Sequence, residues 1–524
     1  MAEAVARQQS GDLGIPSDEP PTTGSASSLF AALESLTHRH ATILDLGDRL
    51  AAQIVEQRSP GLADALADLV TTFLRLEAVS DTSVAKKLTD DQASPARLSP
   101  AAGTGAVPGF DGGLDPFPHV EGGELADVFA ARSAFLNAVE NLAMVAESST
   151  SAARPAVDAC PAVALDTSDE SRTFANDCAL IVSFGGDDEY ENNAGGTGAT
   201  FPAAAVVDLG GDDTYGQPSD PRCCGVNGGG FEGTGVLVDA TGNDTYHANA
   251  RGVNGGADNG IGLLVDAGEG TDRYLAGHEA EERCEAEFCV ARAGSAGVNG
   301  GAHVGVGSLI DGGGEDAFLA GVNASVTCEG SKCSAVAGGL GVNGGGYSGS
   351  GSLVSSDGDD VYQAGTNATT ECLGDASHLS RCLSIAGGHG ANGGGHLGVG
   401  RLVDAGGDDV YEAGVDVHAL CQARCETYPG VWGTNGGATA GWGSSLVDLG
   451  GVDAYRAAVG EDLACDDPCM HGDWNGENGL LVDGDGTGDR YEDPDLACTD
   501  CSRTPRGVWG AMLDRDLSVA TESG

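Results

Sequence analysis

From about residue 178 onward, short apolar runs alternate with Gly, Asn and Asp, and helical spacing is missing, so the pattern predicts strands joined by tight turns. The runs belong to one motif, Leu-Val-Asp-x-Gly-Gly-x-Asp-x-Tyr, whose nine copies end at Tyr190, Tyr215, Tyr246, Tyr274, Phe318, Tyr362, Tyr411, Tyr455 and Tyr491. Measured at the second Asp, successive copies lie 25, 31, 28, 44, 44, 49, 44 and 36 residues apart. A fixed core at variable spacing makes each copy one coil and each length difference a loop. A coil of about 25 residues accommodates two or three short strands with corners. The expected fold is therefore mainly β: a parallel β-solenoid of about nine coils over residues 178–495, with a cap or tail over 496–524. Alternation along each strand points the Leu site (Val206, Leu237, Leu264, Leu309, Leu353, Leu402, Leu446, Leu481) inward. The Val or Ile that follows it then faces outward, which the sequence alone does not explain.

The N-terminal third has a different texture. Residues 1–27 are polar, rich in Pro, Ser and Gly, and read as disordered. Apolar residues then recur at three- and four-residue steps over Ser28 to Gln57, Leu62 to Leu76 and Leu125 to Val145, with a Pro/Gly-rich linker at 91–123. The expectation is a small α-helical domain over 28–150, in which nothing resembles a site.

Coiling brings equivalent residues into register about 4.8 Å apart. Eight of the ten tyrosines occupy the last motif position, which predicts a stack of rings with a packing role. Asn-Gly pairs beginning at Asn227, Asn254, Asn299, Asn343, Asn392, Asn435 and Asn475 predict left-handed corners whose amides bond from coil to coil. The same register stacks acids. The second motif Asp is present in every copy, at Asp188, Asp213, Asp244, Asp272, Asp316, Asp360, Asp409, Asp453 and Asp489. The first is Asp208, Asp239, Asp266, Asp311, Asp404, Asp448 or Asp483, with Ser183 and Ser355 as exceptions. Carboxylates roughly 5 Å apart repel by a few kcal/mol at an effective dielectric near 20. Basic residues are too few to offset that, and Ca²⁺, which takes six to eight oxygens, is the natural remedy. All these aspartates are candidate ligands, and turn capping by the same side chains is the competing reading. Asp483, Asp485 and Asp489 also alternate with Gly like a compact Ca²⁺ loop, without the distal Glu of an EF-hand.

In Gly242-Asn243-Asp244-Thr245-Tyr246 and Gly268-Glu269-Gly270-Thr271-Asp272-Arg273-Tyr274, the chain resembles the RTX nonapeptide family of calcium-binding β-rolls. The resemblance covers the second half of that family's pattern and departs from it in having one motif per coil. It implies calcium-dependent folding outside the cell over roughly residues 180 to 495.

Charge then narrows the partners. With 25 basic against 79 acidic residues the formal net charge is −54, which excludes ordinary phosphate recognition and hence nucleic acid. Lysine occurs only at positions 86, 87 and 332, a balance that resembles proteins of salt-loving or high-GC organisms. No apolar run is long enough for a transmembrane anchor, and Met1 to Pro16 shows no secretory signal. The 16 cysteines argue for export all the same. They fall in local pairs, at 160/178, 223/224, 284/289, 328/333, 372/382, 421/425, 465/469 and 498/501, most of them in the long insertions, as disulfides closing projecting arms would. Zinc at Cys465, Cys469, Cys498 and Cys501, in a cytosolic zinc-binding repeat protein, is the rival.

The expected role is an extracellular or surface-displayed structural or adhesive protein, contacting a cell-surface glycan, a protein or a second copy of itself. The enzymatic alternative is a polysaccharide lyase or epimerase on a parallel β-helix, with His303, His389 and His396 as the bases beside the Asn-Gly ladder. A cleft with convergent Asp and His would favour it.

Overall fold

The computed structural model describes residues 60–82, 122–147 and most of 156–457, the stretches 479–483, 490–492, 498–499 and 511–514, and the isolated helical residues Ala32 and Leu36. The stretch 1–27, the rest of the 28–57 helix, the linker up to residue 121, and the pairs Cys223/Cys224 and Cys465/Cys469 lie outside these residues.

Among the described residues the fold is mainly β, with parallel sheets and two long helices. Helix α1 (Pro60–Thr82) and helix α2 (Gly122–Glu147) extend the predicted segments at both ends. Leu62, Leu66, Leu69 and Phe73 of α1 meet Val128, Phe135 and Leu142 of α2, with Phe73 and Phe135 ring centroids 6.1 Å apart. Among the described residues no helix is long and apolar enough to cross a membrane.

Beyond the helices, one strand from each repeat joins a 13-stranded sheet and the next joins an 11-stranded sheet. The first sheet begins earlier than the motif does, with Ala156–Ala159 paired antiparallel to Val163–Asp166. After that edge it runs parallel, through Leu180–Ser183, Ala203–Asp208, Thr234–Asp239, Gly260–Asp266 and onward. Register matches motif to motif: Leu237 with Leu264, Asp239 with Asp266, and Tyr246 with Tyr274. A one-residue slip would turn every Leu to the wrong face, so the apolar pattern fixes the register.

The Leu site and the tyrosines form one buried core, as alternation requires. The outward valines have a different partner. Val182, Val207, Val238 and Val265 share a second core with α1 and α2, so the helices cover the outer face of the first strands. Their counterparts Ile310, Val354, Val403 and Val447, farther along, are only half-buried. Ser80 of α1 also donates to Thr234 Oγ1 at 2.8 Å, tying the helical layer to the sheet.

Rings of successive repeats stack with centroids 4.5–4.9 Å apart, from Phe174 through Tyr190 and Phe318 to Tyr455. The Asn corners form the second ladder. Asn227, Asn254, Asn299, Asn343, Asn392 and Asn435 all have left-handed φ of 44–53°, and each amide donates to the next at 2.9–3.0 Å. We expect Asn299→Ala to cost about 3 kcal/mol in denaturant titration, because it removes the bonds to a buried Asn254 side-chain N–H and the buried Asn343 Oδ1 and leaves Ala at φ 48°, a conformation that Asn tolerates better.

Four successive repeats carry arms. Glu281–Glu285, Ser325–Glu329, Thr369–Leu373 and His418–Gln422 form one parallel sheet; Phe288–Ala293, Lys332–Ala337, Cys382–Ala386 and Cys425–Pro429 form another. Cys284, Cys328, Cys372 and Cys421 are thereby in register. Cys160 is bonded to Cys178, and Cys284 is also in a disulfide.

Candidate metal centre

Each repeat that keeps both motif acids presents two carboxylates to the interior, and three of their four oxygens have a hydrogen-bond donor. The first Asp closes an Asx turn: Asp208, Asp239 and Asp266 accept the N–H two residues on at 3.1–3.2 Å. It also accepts a phenol from the repeat before. Tyr190 donates to Asp208 at 2.5 Å, Tyr215 to Asp239 at 2.5 Å, Tyr246 to Asp266 at 2.8 Å, Tyr274 to Asp311 at 2.9 Å, Tyr362 to Asp404 at 2.7 Å and Tyr411 to Asp448 at 3.0 Å. The tyrosines read from sequence as packing residues therefore also serve as donors.

The second Asp runs the acid ladder proper. Its Oδ1 accepts the backbone N–H of the second Asp one repeat earlier, at 2.5–2.9 Å, in the order 188, 213, 244, 272, 316, 360, 409, 453. Its Oδ2 is the fourth oxygen. At Asp244, Asp272, Asp316 and Asp409 this atom is buried without a hydrogen-bond partner. It faces other acids: Asp188/Asp208/Asp213, Asp213/Asp239/Asp244, Asp244/Asp266/Asp272, Asp272/Asp311/Asp316 and Asp360/Asp404/Asp409 are buried trios whose ligand oxygens lie within 4.8 Å of one another.

The departures from the motif expose the rule. Ser183 and Ser355, which replace the first Asp, are each preceded by a Phe, Phe174 and Phe318, where other repeats have a phenol. Without that donor a buried carboxylate would lack its partner, and a hydroxyl stands there instead. Ser183 donates to the fourth oxygen of Asp188 at 2.6 Å. A further, degenerate copy precedes the nine. Arg172 occupies the place of the second Asp, its N–H donating to Asp188 at 2.7 Å and its guanidinium bonding Asp166, in the first sheet, at 3.0 Å. At these sites the chain itself supplies a donor or a cation. At Asp244, Asp272, Asp316 and Asp409, in repeats with two acids, the described residues supply neither.

Burial dominates the electrostatics. It raises Asp188 and Asp404 to about 6, Asp316 to about 7, Asp272 and Asp360 to about 8, Asp213 and Asp244 to about 9, and Asp409 to about 10, against an ordinary 3.8; neighbouring carboxylates add to the shift at each, and hydrogen bonds to the carboxylate work against it. Asp208, Asp239, Asp266, Asp311 and Asp448 are also raised, by burial first. Burial thus favours the protonated form of these acids, and a counter-charge would favour the ionised one.

Of the remaining sequence candidates, Asp453 continues the ladder, and Asp483 lies on Gly479–Asp483, in register with Asp514 on one further strand, Ala511–Asp514. Asp485, Asp489 and the side chains of the proposed Cys465/Cys469/Cys498/Cys501 zinc set lie outside the described residues. No protein-family model, curated protein or solved structure matches the chain.

Proposed function

We propose that the chain is a surface-displayed or secreted structural repeat protein, wound as a parallel β-solenoid, whose aspartate ladder holds Ca²⁺. The observation that carries this reading is the fourth carboxylate oxygen. It is buried and unpartnered at Asp244, Asp272, Asp316 and Asp409, and satisfied at Asp188, where Ser183 replaces an acid. Two carboxylates per repeat carry two negative charges, so one divalent cation per repeat restores neutrality. A hard ion with several oxygen ligands suits an all-carboxylate site, and Ca²⁺ tolerates the irregular geometry of three Asp side chains better than Mg²⁺, which demands an octahedron and retains water. The stacked arms, closed by disulfides, then form the contact surface for a glycan, a protein or a second copy.

A second reading rests on the Ser183 hydroxyl, which mimics a protonated acid: a proton shared within each Asp pair would close the same oxygen. Melting separates the two. Near neutral pH, excess Ca²⁺ is expected to raise the melting temperature above that in EDTA by about 10 °C or more. Equal melting temperatures would reject the calcium reading and leave the proton. Asp244→Asn places an amide donor at the unpartnered position. It is expected to raise the melting temperature in EDTA by about 2–4 °C and to shrink the increment from Ca²⁺.

A further inference from the structure

A second cluster lies away from the acid ladder, on the Gly230–Phe231/Ala257–Asp258 side of the repeats and beside the first arm. Ala257 bridges to Ala302, Ala302 to Gly346, and Gly346 pairs with Gly395, so Asp258, His303, Tyr347 and His396 occupy one column on four successive repeats. His303 Nδ1 lies 2.8 Å from Asp258 Oδ1, its ring centroid 5.3 Å from that of Tyr347, and Tyr347 in turn lies 5.1 Å from His396. Two guanidinium groups act on the Asp258 carboxylate. Arg251 approaches Asp258 Oδ2 at 3.6 Å, and Arg292, from the arm strand Phe288–Ala293, acts electrostatically on Asp258 and Arg251.

Charge at this cluster runs against the rest of the molecule. Burial alone would raise the Asp258 carboxyl, but His303, Arg251 and Arg292 hold it below the ordinary value, so it is ionised. Two guanidiniums against one carboxylate leave an excess of one positive charge among these three groups. Polar capacity is left over as well. Among the described residues, Arg292 Nε and Asp258 Oδ2 are buried without hydrogen-bond partners. Desolvation lowers the pKa of Arg292, and Arg251 lowers it further, so bringing the two guanidiniums together has a cost that Asp258 only partly offsets. The mouth is open: the side chains of Arg251 and His303 are 46% and 25% exposed.

We propose that Arg251 and Arg292, positioned by the Asp258–His303 pair, form a binding site for a carboxylate-bearing ligand. A monoanion matches the single excess charge, and a planar carboxylate matches the guanidinium fork. A dianion such as phosphate would leave a net negative charge beside Asp258 in a chain that already carries −54. The site is independent of the calcium ladder, since it shares no residue with it.

The test titrates sodium acetate into the full chain in excess Ca²⁺, at ionic strength held constant with sodium chloride. The arginine Nε–H signals are followed by NMR, and Arg292→Gln assigns the Arg292 signal. The expected result is a saturable shift of that signal with acetate, none with chloride, and weaker binding of inorganic phosphate. Arg251→Gln alters a half-exposed side chain and is not expected to disturb folding. It should weaken acetate binding about tenfold, the loss of one charge-assisted hydrogen bond. If Arg292→Gln does not fold, Arg251→Gln alone decides through its change in acetate affinity. An Arg292 signal indifferent to acetate, equal response to chloride, tighter binding of phosphate, or unchanged affinity in Arg251→Gln would overturn the proposal.

Discussion

Freed of metal by EDTA, the protein should lose stability as pH rises from about 5 to about 9, the reverse of ordinary acid denaturation. The sign follows from the ladder. Its carboxyls are raised in the folded state, from about 6 at Asp188 and Asp404 through about 8 at Asp272 and Asp360 to about 10 at Asp409, against 3.8 ordinarily. Folding therefore favours their protonated forms. That stabilisation is complete below the unfolded value near 3.8 and is lost stepwise as pH climbs through the folded values. One pKa unit is worth about 1.4 kcal/mol, and whole domains are stable by only about 5–15 kcal/mol, so ionising several of these acids without a counterion is enough to unfold the repeats. Saturating Ca²⁺ replaces the protons and should flatten the profile, with affinity for Ca²⁺ rising with pH. Melting curves at a series of pH values, with Ca²⁺ and with EDTA, check both limbs. A metal-free profile that is flat or rises with pH would contradict the electrostatic account.

The second large effect concerns the link between the rings and the acids. Tyr215→Phe removes the phenol that donates to buried Asp239 at 2.5 Å and is expected to cost about 2–3 kcal/mol in denaturant titration. Tyr215→Phe combined with Asp239→Ser rebuilds the pairing found naturally at Phe174/Ser183 and Phe318/Ser355. The new hydroxyl would stand beside the unpartnered oxygen of Asp244, as Ser183 does beside Asp188. The double variant should be more stable than Tyr215→Phe alone, a favourable coupling of at least about 1 kcal/mol in a double-mutant cycle. Additive losses would mean that the coincidence of Phe with Ser has no energetic basis.

What could be read in the sequence was whatever repeats. The stacked rings, the Asn corners and the register of the acids follow from one motif, because identical residues on paired parallel strands must lie above one another. Features that break the motif were hidden. The copy at Asp166, Arg172 and Phe174 lacks both the second Asp and the Tyr, so no pattern flags it, although it shows how the ladder is closed at one end. Asp514, in register with Asp483, follows Ala-Met-Leu and lacks the glycines that mark the other copies. The outward valines made no sense until α1 and α2 were placed over them, a contact between segments that share no pattern. The Asp258–His303 pair was equally invisible. His303 was legible as a base beside the Asn-Gly ladder, but its acid lies 45 residues away on a short strand, Ala257–Asp258, outside the motif, and only pairing of the repeats brings them together.

The calcium content of the folded protein tests the central claim most directly. Equilibrium dialysis of the full chain against radioactive Ca²⁺ near pH 8, followed by counting of bound ions, should give several saturable sites, about one for each of the six acid trios among the described residues, and fewer in Asp244→Asn. Native, folded protein that retains no calcium under those conditions would contradict it.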